Sequence, residues 1–212
     1  YEMTSSLVGS EMCIRDSCDI TRPGMEYIPF ASASEHCKNN SITCVAPTKT
    51  FNLAGLQTAA VIVPDAALRH RVNRGLNTDE VAEPNVFAAI APIAAFDRGR
   101  EWLEELREYL WENRKAAEDF IREEIPELRT VSADATYLLW IDCNALPGDL
   151  SELAEFIRKE SGLYVCDGRE YGNGYGFLRM NLACRRELLK EGLERLKRSI
   201  HSYRKGISNG II

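Results

Sequence analysis

Residues 41–63 set the terms for the whole chain. Two short runs, Ser41-Ile42-Thr43-Cys44-Val45 and Thr58-Ala59-Ala60-Val61-Ile62-Val63, are β-branched or small and mostly apolar. Such runs read as buried strands. Between them lies Ala46–Gln57, with a single lysine, Lys49. The pattern delivers one primary amine at the end of a buried strand. In water that amine is protonated and a poor nucleophile. Partial desolvation or a nearby cation lowers its pKa and frees it for imine chemistry. Spacing taken alone favours the plainer reading, a solvated loop lysine.

Upstream, Cys18–Phe30 reads as a loop, and Ser32-Ala33-Ser34-Glu35 as the cap of a short helix. Pro64-Asp65 opens a helix with Leu68 and Val72 on one face. Arg69, His70, Arg71 and Arg74 form its solvated basic side. Gly75–Pro84 reads as a polar loop. A long helical region begins at Asn85, with an interruption expected at Pro92. From Arg98, the positions Trp102, Leu103, Leu106, Leu110, Ala117, Phe120 and Ile121 keep helical spacing and predict a core stripe.

The remainder predicts one compact α+β unit. It has a strand over 135–143, an amphipathic helix through Leu150, Leu153, Phe156 and Ile157 ending at Gly162, and a strand over 163–166. A glycine-rich loop, a strand over 177–183 and a helix from Arg185 to Tyr203 follow. Arg179 lies among largely apolar neighbours, and a buried arginine requires an acidic partner. Its fork suits the α-carboxylate of an amino acid. An internal ion pair with Asp142 or Asp167 satisfies it equally in kind. Gly168, Gly172, Gly174 and Gly176 do not form a phosphate motif, because a strand follows them rather than a helix. They read as a mobile edge near a substrate.

A net charge of −6 supplies no basic face and argues against nucleic acid as a partner. No apolar run approaches the roughly 20 residues that span a membrane. Seven scattered cysteines without C-x-x-C spacing suit reduced thiols in a cytoplasm. No metal site is expected.

Thr48-Lys49-Thr50-Phe51-Asn52-Leu53-Ala54-Gly55-Leu56-Gln57 resembles the lysine segment of pyridoxal-phosphate enzymes of fold type I. The likeness is narrowest to the C–S lyases of the cystathionine β-lyase (MalY/PatB-like) group within the class I/II aminotransferase superfamily. It runs from about Cys18 to about Lys205, through Tyr27–Ser32, Thr136–Asp142 and Gly176–Ala183. The resemblance implies an α/β fold: the end of a large-domain sheet (18–90), a complete α+β small domain (91–205) and a tail (206–212).

It further implies that Lys49 carries pyridoxal 5′-phosphate and acts as the catalytic base. It implies that Arg179 binds the substrate carboxylate and that the enzyme is a homodimer acting on a small amino acid. Thr48 offers a hydroxyl to the cofactor phosphate or simply faces water. The implied reaction cleaves cystathionine or cysteine conjugates to pyruvate, ammonia and a thiol. The alternatives are an aminotransferase, or an inactive fragment. Gln57 stands where aminotransferase-type relatives often place a phosphate-binding arginine, which leans toward the lyase.

Residues 1–17 do not fit this resemblance. Leu7–Ser17 resembles translated sequencing-adapter read-through, so this stretch is expected to be an artefact overlying real sequence. The chain also starts on tyrosine and is expected to be a piece of a longer one. In register, the aspartate that pairs with the cofactor ring nitrogen falls at Ile14, and a family histidine at Ser17. The chain as it stands is therefore expected to bind pyridoxal phosphate weakly or not at all.

Overall fold

The computed structural model describes residues 11–15 (backbone only), 18–81 and 83–209. Of the expected artefact, all but the backbone of Glu11–Arg15 lies outside them. The chain forms two compact units, one reaching Leu106 and one starting at Arg107. The expected boundary at residues 90/91 instead opens a helix of the first unit.

In the first unit, strand β1 (Glu11–Arg15) pairs in parallel with β2 (Ser41–Val45). β2 pairs antiparallel with β3 (Ala60–Ile62). Helix α1 (Glu35–Asn39) begins where the sequence places its cap, since Ser34 Oγ accepts from the Cys37 N–H at 3.0 Å. α2 (Ala66–Thr78) is capped by Asp65, whose Oδ1 accepts from the Leu68 N–H at 2.7 Å. α2 runs through Gly75 into the expected loop. Arg69 is not simply solvated: its Nη1 donates to the Val63 and Pro64 carbonyls at 2.8 Å each, binding strand end to helix start.

Two expectations fail here. β3 is exposed at all three positions, with Ile62 at 52 %. Its apolar character reflects β propensity, and the described residues leave it partly open. The helical break falls at Gly99 rather than at Pro92. Pro92 sits in the first turn of α3 (Ile90–Arg98), where its missing N–H has no intrahelical partner to lose. A side chain at Gly99 would collide with the Ala95 carbonyl and the Phe51 ring. α4 (Arg100–Glu124) starts immediately after.

The second unit is a four-stranded antiparallel sheet in the order β4 (Arg129–Thr130), β5 (Leu138–Asp142), β7 (Phe177–Asn181), β6 (Cys166–Asp167). Its core joins Leu139, Ile141, Leu178 and Met180 to the C-terminal part of α4, α5 (Leu153–Ser161) and α6 (Arg186–Ser208). Alternation along β5 and β7 puts Leu138, Trp140, Asp142, Phe177, Arg179 and Asn181 on the opposite face. α5 ends on Gly162 at φ +69°, a left-handed cap that suits glycine. α6 continues past Gly206, where a tail was expected, and Ile207 packs against the core.

Cys143 is fully buried, and burial, helped by the negative charge of Asp142, pushes its thiol up to about 12. An unfolded thiol loses its proton near 9, so between 9 and 12 the unfolded chain binds fewer protons than the folded one. Stability of this unit should therefore fall as pH rises through that window. Urea midpoints of the wild type and Cys143→Ala, measured from about pH 8 to about pH 11, should converge as pH rises. A pH-independent difference would refute the assignment.

Candidate active site

The lysine turn hangs from the end of β2 by three anchors. Pro47 and Thr50 are buried, and Thr50 Oγ1 donates to Asp19 Oδ2 at 3.2 Å. Backbone bonds from Phe51 N to Pro47 O (2.9 Å) and from Leu53 N to Thr48 O (3.0 Å) close the turn. The Phe51 ring packs on the Gly99 backbone, edge-on to Phe96 at 5.5 Å and stacked with Trp102 at 5.7 Å. These contacts fix the backbone on both sides of Lys49 and leave its side chain exposed. Among the described residues the amine has no partner. The desolvation expected from a buried strand end is therefore absent here: the strand delivers the amine, but no wall of described residues closes over it. Thr48, half-buried beside it, has a hydroxyl without a described partner.

Arg179 belongs to the second unit. Neither expected carboxylate pairs with it. Asp167 is taken by Arg169 at 2.7 Å, and that pair holds the Asp167 carboxyl below its usual range. Asp142 Oδ1 accepts from Asn144 N and Nδ2 at 2.9 and 2.7 Å. Instead Arg179 lies under the Tyr171 ring, with Cζ 3.9 Å from the centroid, and its Nη2 donates to Cys166 Sγ at 3.5 Å. The Tyr171 phenol pKa is raised, chiefly through the neighbouring Cys166.

The glycine-rich loop is built rather than loose. It starts as a 3₁₀ turn (Gly168–Tyr171), and Gly168 and Gly174 meet so closely that a Cβ on either would strike the other's backbone. Tyr175 Oη donates to Asp149 Oδ1 at 3.0 Å. Sequence reading missed Tyr171, Cys166, Trp140 and the Phe51 anchor. The paired glycines were the one signal that the loop is folded tightly.

Residues 18–196 match the aminotransferase class I and II family. The chain belongs to that family. Among class I/II relatives it is 37% identical over 183 residues to cystathionine beta-lyase PatB of Bacillus subtilis, covering 86% of this chain and 47% of that protein. To protein MalY of Escherichia coli it is 32% identical over 180 residues, covering 84% and 45%. The crystal structure of cystalysin from Treponema denticola, which contains a pyridoxal 5′-phosphate cofactor, superposes with a TM-score of 0.82 at 27% identity, covering 92% of this chain and 50% of that one. The chain thus spans about half the length of the curated relatives it matches and carries the corresponding part of the fold type I architecture. Among the described residues no cluster of three His, Cys, Asp or Glu is placed to hold a metal ion, and no helix is long and apolar enough to cross a membrane.

Proposed function

We propose that the whole protein is a pyridoxal-phosphate-dependent C–S lyase acting on a β-thio amino acid such as cystathionine. The observation that carries this reading is Lys49, an exposed amine without a partner among the described residues, on a turn anchored at Thr50 and Phe51. Those residues fit the aldehyde end of the cofactor. For its ring nitrogen they supply no carboxylate, because Ile14 stands in the register expected for one.

When bound, the cofactor supplies an electron sink that acidifies the substrate Cα–H. Lys49 Nζ would hold the cofactor's aldehyde carbon and would serve as the base for the substrate Cα proton. Thr48 Oγ1 would donate to the phosphate. Arg179 would grip the substrate α-carboxylate with two parallel N–H groups. In net terms a β-thio amino acid and one water would become a thiol, pyruvate and ammonia.

A homodimer in the cytoplasm is part of the same proposal. Among the described residues, Cys37, Cys143, Cys166 and Cys184 are free thiols, as suits a reducing compartment. The whole protein should release pyruvate from cystathionine without any added keto acid. Dependence of turnover on a keto acid would instead make it an aminotransferase. Gln57, in place of a phosphate-binding arginine, favours the first outcome.

A further inference from the structure

The face of the second unit's sheet opposite its core holds a guanidinium in an aromatic corner. Arg179, on β7, has Trp140 of β5 as its cross-strand neighbour on one side and Cys166 of β6 on the other. Tyr171 comes in from the loop after β6 and lays its ring over the guanidinium. Trp140 meets that ring edge-on, at 5.7 Å and 89°. The loop is held in shape by the Gly168–Gly174 contact, by the Arg169–Asp167 ion pair and by Tyr175 on Asp149.

A guanidinium has five N–H donors. The Tyr171 ring attracts its flat face and uses none of them. One donor goes to the Cys166 sulfur, a weak acceptor. No carboxylate among the described residues claims the rest. The plane of the fork is therefore set before any anion arrives, and an anion bound by an ordered fork loses less side-chain freedom on docking.

We propose that Tyr171, backed by Trp140, is a positioning residue that orients the Arg179 fork for a carboxylate, with the Cys166 thiol at the mouth of that site. The inference rests on reading Arg179 as the carboxylate receiver.

Two alkylating agents of nearly the same shape test it on the chain as it stands. Iodoacetate carries a carboxylate, and iodoacetamide is its neutral counterpart. With either, the Cys166 sulfur displaces iodide from the CH₂ carbon, a C–S bond replaces C–I, and the thiol proton passes to buffer. The readout is the iodoacetate-to-iodoacetamide rate ratio at Cys166, divided by the same ratio at the half-buried Cys37. Changes in access cancel in this quotient.

The quotient should be about tenfold or more, the factor that roughly 1.4 kcal/mol of carboxylate capture provides. Arg179→Gln should bring it to about one. Tyr171→Ala should lower it at least about threefold, whereas Tyr171→Phe, which keeps the ring, should hold it near wild type. Buried Cys143, unlabelled in every variant, reports that the unit is folded. If Tyr171→Ala exposes it, Tyr171→Leu, which keeps bulk without the ring, takes its place. A quotient unchanged by Arg179→Gln, or a Cys166 that neither reagent labels, overturns the carboxylate reading and this inference together. Loss of the quotient in Arg179→Gln but not in the Tyr171 variants leaves Arg179 as receiver and overturns the positioning role alone.

Discussion

Replacing Lys49 by alanine should reduce pyruvate release from cystathionine by the whole protein at least about 10³-fold, the upper range for losing a positioned base that also serves as nucleophile. The same change should leave the fold intact. The Lys49 side chain is exposed and has no partner among the described residues, and substitutions at such places stay within about 0.5 kcal/mol. Lys49→Arg should fail just as fully. A guanidinium keeps the charge but neither gives up its proton near neutral pH nor condenses with an aldehyde. Two measurements decide the matter: pyruvate release, and peptide masses after borohydride reduction in the presence of pyridoxal phosphate. The reduced cofactor should sit on the Lys49 peptide. Activity of Lys49→Ala within tenfold of wild type, or cofactor fixed on another lysine, would sink the assignment.

What makes this turn readable from sequence is its locality. Two β-branched runs bracket a polar segment, and pairing β2 with β3 needs only the residues between them. What holds the turn is not local. Phe51 finds its place against Gly99, Phe96 and Trp102, residues whose own pattern says only that a helix is near. The break at Gly99 is a tertiary fact of the same kind: glycine is there because an aromatic ring needs the space.

Arg179 was legible as an arginine in a largely apolar strand that needs an acidic partner. Its surroundings were not, because Tyr171 arrives from a loop without periodicity and Trp140 and Cys166 arrive through strand register. β3 misled in the opposite direction. Alternation and composition report that a strand forms, and whether its apolar side chains are covered depends on residues far along the chain.

The stripe on α4 shows a subtler failure, and it yields the largest stability effect expected here. The buried positions are Leu110, Asn113, Arg114, Ala117 and Ile121, which follow helical spacing without a gap. Reading only apolar letters skips two of the five. Asn113 Nδ2 donates to the carbonyls of Leu182 and Cys184 at 2.9 and 3.0 Å. Arg114, 2 % exposed, sends Nη2 to the carbonyls of Leu138 (2.9 Å) and Thr136 (3.3 Å) and Nη1 to Glu118 (3.3 Å).

Thr136 sits at φ +67°, where a threonine is strained, so the guanidinium ties down the segment that leads into β5. Arg114→Ala would strand two carbonyls, at about 1–3 kcal/mol each where they stay dry, and open a cavity along α4. A loss of about 3–5 kcal/mol follows. Arg114→Lys should recover only part of it, because one ammonium on a flexible stem does not replace a planar fork that reaches two carbonyls and a carboxylate. Glu118→Gln should cost less than about 1 kcal/mol, since the Glu118 side chain is 28% exposed and water screens the pair. Urea unfolding of the three variants, with hydrogen exchange of the β5 and β7 amides to localise the loss, gives the ranking. If Glu118→Gln cost as much as Arg114→Ala, the ion pair rather than the carbonyl bonds would be what Arg114 supplies, and the role drawn here for its buried fork would be wrong.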